Sequence, residues 1–151
     1  MIRILRTDST NRDFIALVRL LDADLAVRDG KEHSFYATHN KIDAIRHVVL
    51  AYDDDEPVGC GALKEYVRGI MEVKRMYVPP HGRRKGVASK VLEELERWAG
   101  EMKYQKCILE TGKKQPEAIA LYKKSGYTVI PNYGQYAGVE NSVCFEKEIQ
   151  P

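Results

Sequence analysis

Between Gly82 and Gly86 the chain sets Arg83, Arg84 and Lys85 side by side, after Pro79-Pro80 and before an apolar stripe of helical spacing. A helix start leaves its first backbone N–H groups without intrahelical partners, and the aligned peptide dipoles add partial positive charge there. A glycine-bounded cationic turn leading into it makes an anion site. Gly86 lets the backbone approach phosphate oxygens, and the side chains add attraction for a di- or polyphosphate. A solvated basic turn is the alternative reading. The glycine spacing is not that of a P-loop, and Gly59-Cys60-Gly61 is no dinucleotide fingerprint, because Lys64 stands where the third glycine belongs.

Other chemistries find no support. Cys60, Cys107 and Cys144 are odd in number and lack a CxxC spacing, and His33, His39, His47 and His81 lack the spacing of a metal site. No metal is expected. Basic and acidic residues number 24 and 22, a net charge of +2. That balance argues against nucleic-acid binding by bulk electrostatics, although a local basic patch remains compatible with it. Arg3, Arg6 and Asp8 interrupt the start before a signal-peptide apolar region forms, and no apolar run approaches the roughly 20 residues of a membrane span. The expectation is a cytoplasmic chain without membrane partners, with residues 1–151 forming one domain.

The elements that must position the turn follow from periodicity. Residues 2–5 read as a strand. Phe14, Leu17, Val18, Leu21 and Leu25 mark a helix over 11–28, with Ser9, Thr10 or Asn11 as cap and Gly30 as its close. A short helix is expected around 41–45. Residues 47–52, 57–66 and 70–78 read as three successive antiparallel strands. Val91, Leu92, Leu95, Trp98 and Met102 mark the second long helix. The run 107–111 is a nearly continuous apolar strand suited to mid-sheet. A third helix covers 115–125 and closes at Gly126, and strands at 127–130 and 142–146 follow. The order gives an α/β (α+β) chain.

Two stretches resemble a known family. Val78-Pro79-Pro80-His81-Gly82-Arg83-Arg84-Lys85-Gly86-Val87-Ala88 matches V-x-P-x-x-R-x-x-G-(I/V)-(G/A), the acetyl-CoA signature of the GNAT N-acetyltransferase superfamily. Residues 115–127, QPEAIALYKKSGY, resemble that family's N-x-x-A-x-x-L-Y-x-x-x-G-(F/Y) helix, with Gln115 in place of the commoner Asn. The resemblance covers nearly the whole chain. It implies the GNAT fold: a single mixed, mostly antiparallel sheet of about six to seven strands flanked by helices.

It also implies acetyl transfer from acetyl-CoA to a primary amine of a small molecule or peptide. By matching, the pyrophosphate would lie on the backbone amides of Arg84, Lys85, Gly86, Val87, Ala88 and Ser89, with Arg83 adding charge. Met76, Tyr77 and Val78 would pair with the pantetheine arm, and Gln115 would contact the arm as well. Such proteins commonly carry a β-bulge at that strand end, and a backbone N–H near Met76 would meet the oxyanion. Tyr122 matches the helix tyrosine that protonates the leaving thiolate. Glu72 is the candidate base for the ammonium, on the same side of its strand as Met76 and Val78 by simple alternation; a surface salt bridge is its other reading. The acceptor region would include Tyr36, Tyr133 and Tyr136. Asp22, Asp24, Asp29 and Glu32 either favour a cationic acceptor or form a solvated face. The three cysteines fall in apolar strands with no paired histidine, so transfer is expected without an acyl-enzyme. A homodimer stays open. The alternative function is a non-catalytic CoA-binding regulatory domain.

Overall fold

Alternating and continuous apolar runs build a seven-stranded sheet in the computed structural model, which describes residues 1–29 and 44–149. The strands are β1 (Ile2–Thr7), β2 (His47–Asp53), β3 (Glu56–Val67), β4 (Ile70–Tyr77), β5 (Lys106–Gly112), β6 (Thr128–Ile130) and β7 (Ser142–Glu148). The helices are α1 (Arg12–Asp29), α2 (Val87–Glu101) and α3 (Pro116–Lys124). Across the sheet the order is β1-β2-β3-β4-β5-β7-β6. Neighbours are antiparallel except β4 and β5, which run parallel. The expected mixed, mostly antiparallel sheet is therefore present. The expected cap Gly30 and most of the short helix around 41–45 fall outside the described residues.

Both faces of the sheet are covered. Val91, Leu92, Leu95 and Ala99 repeat at helical spacing and bury α2 against Val49, Val58, Leu63, Met71 and Val73. On the opposite face Phe14, Leu17 and Val18 of α1 pack against Val48, Leu50, Cys60 and Ala62. Of the three candidate caps of α1, Asn11 takes the role: its Oδ1 accepts from the N–H groups of Asp13 and Phe14 at 2.8 and 3.2 Å.

Gly59 and Gly61 set how closely α2 approaches β3. A Cβ at Gly59 would lie 2.5 Å from Val87 Cγ1, and one at Gly61 would lie 2.6 Å from Met76 Sδ and 2.8 Å from Leu95 Cδ1. Those distances leave no room for a methyl group. Gly61→Val is accordingly expected to cost about 1–3 kcal/mol by overpacking, read as a lower urea midpoint. An unchanged midpoint would show that α2 has room to shift.

The strand β4 is irregular on both flanks. Its pairing with β5 covers only Ile70↔Lys106, Met71↔Cys107 and Glu72↔Ile108, after which the two strands part. Its pairing with β3 skips from Ala62↔Lys74 to Cys60↔Tyr77, so Arg75 and Met76 together oppose Gly61, and Arg75 has φ 59°. This is a β-bulge at the strand end where the family resemblance placed one.

Candidate active site

The turn before α2 takes its shape from left-handed backbone at two residues. Gly86 is the N-cap at φ 73° and Arg84 is also left-handed at φ 68°; the cap residue has no side chain to bond the helix start. The first intrahelical bond runs from Lys90 N–H to the Gly86 carbonyl at 3.2 Å, which leaves the N–H groups of Val87, Ala88 and Ser89 without helical partners. A Cβ at Gly86 would touch none of the described residues, so glycine is required here by its backbone angle and not by crowding.

The basic side chains diverge. Arg83 Nε donates to the Val78 carbonyl at 3.0 Å, which ties the turn to the end of β4. Lys85 Nζ donates to Asp53 Oδ2 at 2.9 Å, at the far end of β2. The cation cluster legible in sequence is thus dispersed.

Where β4 and β5 part, a cavity of about 430 Å³ opens. Met76, Tyr77 and Val78 form its strand wall; Arg83, Arg84, Gly86, Val87, Ala88 and Ser89 form its turn wall. Lys85 is missing from that wall, because its side chain leaves for Asp53. Gln115, Ala118, Leu121 and Tyr122 of α3 and its N-cap face the turn. A second cavity of about 100 Å³ shares Leu21, Met76, Gln115, Ala118 and Tyr122 with the first and adds Glu72, Arg75, Glu110 and Tyr136. Tyr122 therefore stands on the wall common to both.

Its position follows from the end of α3. Gly126 at φ 95° closes that helix as a Schellman motif, with Tyr127 N–H donating to the Tyr122 carbonyl at 3.0 Å and Gly126 N–H to the Lys123 carbonyl at 3.2 Å. The Tyr122 ring lies against Tyr127 and Phe145, each with centroids 5.9 Å away. Burial, with the Glu110 carboxylate adding to it, pushes the phenol well above its ordinary pKa, so the hydroxyl keeps its proton.

Glu72 is buried in the second cavity's wall. Its Oε2 accepts from the Tyr133 hydroxyl at 2.7 Å, and its Oε1 lies 3.7 Å from Lys74 Nζ. This buried carboxylate is no surface salt bridge. The bulge corrects the alternation expected for β4. Met71 and Val73 lie on the α2 side together with Met76 and Val78, whereas Tyr77 packs with α1 and Arg75 reaches Asp22 on α1. Glu72 thus shares its face with Arg75, not with Met76 and Val78, because the extra residue inverts the count.

The loop tyrosines divide by role. Tyr133 holds Glu72 and meets Tyr66 and Tyr136 edge-on at 5.1 and 5.7 Å, while buried Tyr136 lines the second cavity. Burial raises both phenols, so Tyr133 remains the donor to Glu72. Tyr36 lies outside the described residues. The three thiols are buried, and burial pushes Cys60 and Cys107 up to about 12 and Cys144 to about 11. Protonated thiols of that kind are poor nucleophiles at neutral pH.

Two residues of the second cavity escaped the reading of the sequence. Glu110 accepts from Ser142 Oγ at 2.7 Å; its only signal was one charge inside an otherwise apolar strand. Arg75 carried no signal, because its burial depends on the bulge.

Comparison with known proteins agrees with this geometry. YsnE of Bacillus subtilis (strain 168), an uncharacterized N-acetyltransferase, is 35% identical over 101 residues, 66% of this chain and 67% of its own. The chain spans about two thirds of the length of the curated relatives it matches first. A provisionally named acyl-CoA N-acyltransferase of Klebsiella pneumoniae subsp. pneumoniae MGH 78578 superposes with a TM-score of 0.83 at 31% identity, over 99% of this chain and 98% of its own. PaiA N-acetyltransferase of Thermoplasma acidophilum, solved with coenzyme A, shares the fold at a TM-score of 0.72 and 16% identity, over 98% of this chain and 99% of its own. The model of the acetyltransferase (GNAT) family matches residues 14–127, three quarters of the sequence and both motif stretches in full, and the chain belongs to that family.

Proposed function

We propose that the protein transfers the acetyl group of acetyl-CoA directly to a primary amine of a small molecule or peptide. The observation that carries this reading is the parting of β4 from β5 beside a helix start with free N–H groups, with Tyr122 on the wall shared by both cavities. The residues fit the coenzyme. Unused N–H groups of residues 87–89 and the left-handed Gly86 suit a pyrophosphate, and the flank of β4 at 73–77 that β5 leaves suits an extended arm carrying amides. A protein of the same fold was solved with coenzyme A.

Acetyl-CoA supplies an activated thioester carbonyl and a thiol leaving group. Glu72 takes the proton that the acceptor ammonium must lose before its nitrogen can attack. The nitrogen then bonds to the carbonyl carbon as the C–S bond breaks, and the Met76 region of the bulge offers backbone N–H to the carbonyl oxygen. The second proton the nitrogen sheds on becoming an amide passes to solvent, as does the one held by Glu72. Tyr122 delivers its proton to the departing sulfur and recovers one from solvent. Tyr133 keeps Glu72 oriented between turnovers.

The decisive experiment monitors thiol release across a panel of amines and peptides, with coenzyme binding followed by calorimetry. The expected result is coenzyme binding plus turnover with a subset of amines. Binding without turnover on any amine would favour a regulatory domain, and absence of both would remove the reading altogether. Gly86→Val, which forces a β-branched residue into a left-handed backbone, is expected to weaken coenzyme binding about tenfold or more. Equal affinity in that variant would show that the turn is not the pyrophosphate site.

A further inference from the structure

Arg75 makes a demand that none of the described residues meets. It sits on the bulge of β4 at φ 59°, a backbone conformation that strains any residue with a Cβ. Its side chain is only 2% exposed, and among the described residues it has one ion-pair partner, Asp22 of α1, whose Oδ1 accepts from Nη1 at 3.1 Å. Asp22 is itself half exposed. Nε and Nη2 are buried and have no hydrogen-bond partner among the described residues. These two nitrogens lie on one edge of the planar guanidinium, spaced to match the two oxygens of a carboxylate in parallel hydrogen bonds. A buried cation with that edge bare is costly, since removing a charged donor from water is offset only by acceptors of equal strength.

The surroundings say where an acceptor would come from. Arg75 lines the smaller cavity together with Glu72 and Glu110. Those carboxylates have other partners: Tyr133 and Lys74 at Glu72, Ser142 at Glu110. The cavity is thus lined by residues of both signs, Arg75 and the carboxylates, next to Tyr122. A ligand complementary to it also carries both signs, an ammonium for the acid side and a carboxylate for Arg75.

We infer that the acceptor is a zwitterionic amine, an amino acid or a close analogue, whose carboxylate docks on the Nε–Nη2 edge of Arg75 while its amino group faces Glu72. The inference deepens the acetyl-transfer reading and rests on it. A plain amine would leave the Arg75 edge bare, so the pocket discriminates by the acid group.

The test titrates N-acetyl amino acids and the corresponding N-acetyl carboxamides into the protein by calorimetry, with and without coenzyme A, and measures turnover of the unacetylated pairs. At least one acid is expected to bind about 10- to 100-fold more tightly than its amide, the range for hydrogen bonds to charged groups. Arg75→Gln should erase that preference, and Arg75→Lys, which keeps the charge but not the paired edge, should reduce it. Coenzyme binding in each variant reports that the fold is intact; where Arg75→Gln loses it, Arg75→Lys decides. No preference for any acid, or a preference undiminished by the intact variant, overturns the inference and makes Arg75 a purely structural partner of Asp22. Turnover of amides as fast as acids overturns it too, while leaving acetyl transfer standing. A parent that binds acids but never coenzyme would sink the transfer reading, and the acceptor role with it, while leaving an acid-docking site at Arg75.

Discussion

Tyr122→Phe is expected to lower kcat by about 10²- to 10⁴-fold, the usual range for loss of a positioned proton donor, with little change in affinity for coenzyme A. The substitution removes one oxygen and keeps the ring. The packing against Tyr127 and Phe145, and the Schellman motif that sets the end of α3, are therefore preserved. What disappears is a phenol that burial keeps protonated, at the boundary between the two cavities. Because a thiolate would develop only as the C–S bond breaks, a donor at Tyr122 would act in the transition state. kcat and kcat/KM should then fall together, whereas loss of a residue that only binds would raise KM. Steady-state thiol release and calorimetry on the same preparation separate these outcomes. A variant turning over at the parental rate would take Tyr122 out of the chemistry.

Glu72→Gln should produce a loss of comparable size with a different signature. Glutamine preserves the shape and still accepts from Tyr133 through its carbonyl oxygen, so the loop carrying Tyr133 stays anchored. It cannot take a proton. At neutral pH most acceptor amines are ammonium ions, and kcat/KM is expected to drop by about 10²- to 10⁴-fold. As pH rises toward the acceptor's own pKa, the neutral amine forms without help and the deficit against the parent should shrink. A deficit that stays constant with pH would assign Glu72 to binding or to structure instead.

The fold was largely readable because its signals are local. Helical spacing of Val91, Leu92 and Leu95, the Asn11 cap and the Gly126 close each act within a few residues. Tyr122 was singled out through the family resemblance, in a helix whose close at Gly126, four residues on, is itself a local signal. What the sequence did not show has a different cause. The Lys85 side chain reaches Asp53, 32 positions earlier, a pairing decided by the sheet that leaves its backbone amide in the turn. Glu72 changed faces because one extra residue at Arg75 inverted the alternation downstream, and a bulge has no composition of its own. Gly59 and Gly61 looked like a failed nucleotide motif, yet their purpose is clearance for α2. Arg75 needed bulge, burial and Asp22 together before it meant anything.

The short seam between β4 and β5 has a mechanical consequence. One half of the sheet, β1 to β4, meets the other, β5 to β7, through three residue pairs along the one parallel junction among the described residues. A ligand seated in the gap touches both halves and acts as a clasp. Those amides of residues 73–77 that face the gap, and not β3, should exchange with deuterium readily in the free protein and slow when coenzyme is added. The melting temperature should climb with ligand concentration, by the equivalent of about 4 kcal/mol at a thousandfold excess over Kd. Much of the rigidity of this protein would then be borrowed from its own coenzyme, and lost each time product departs.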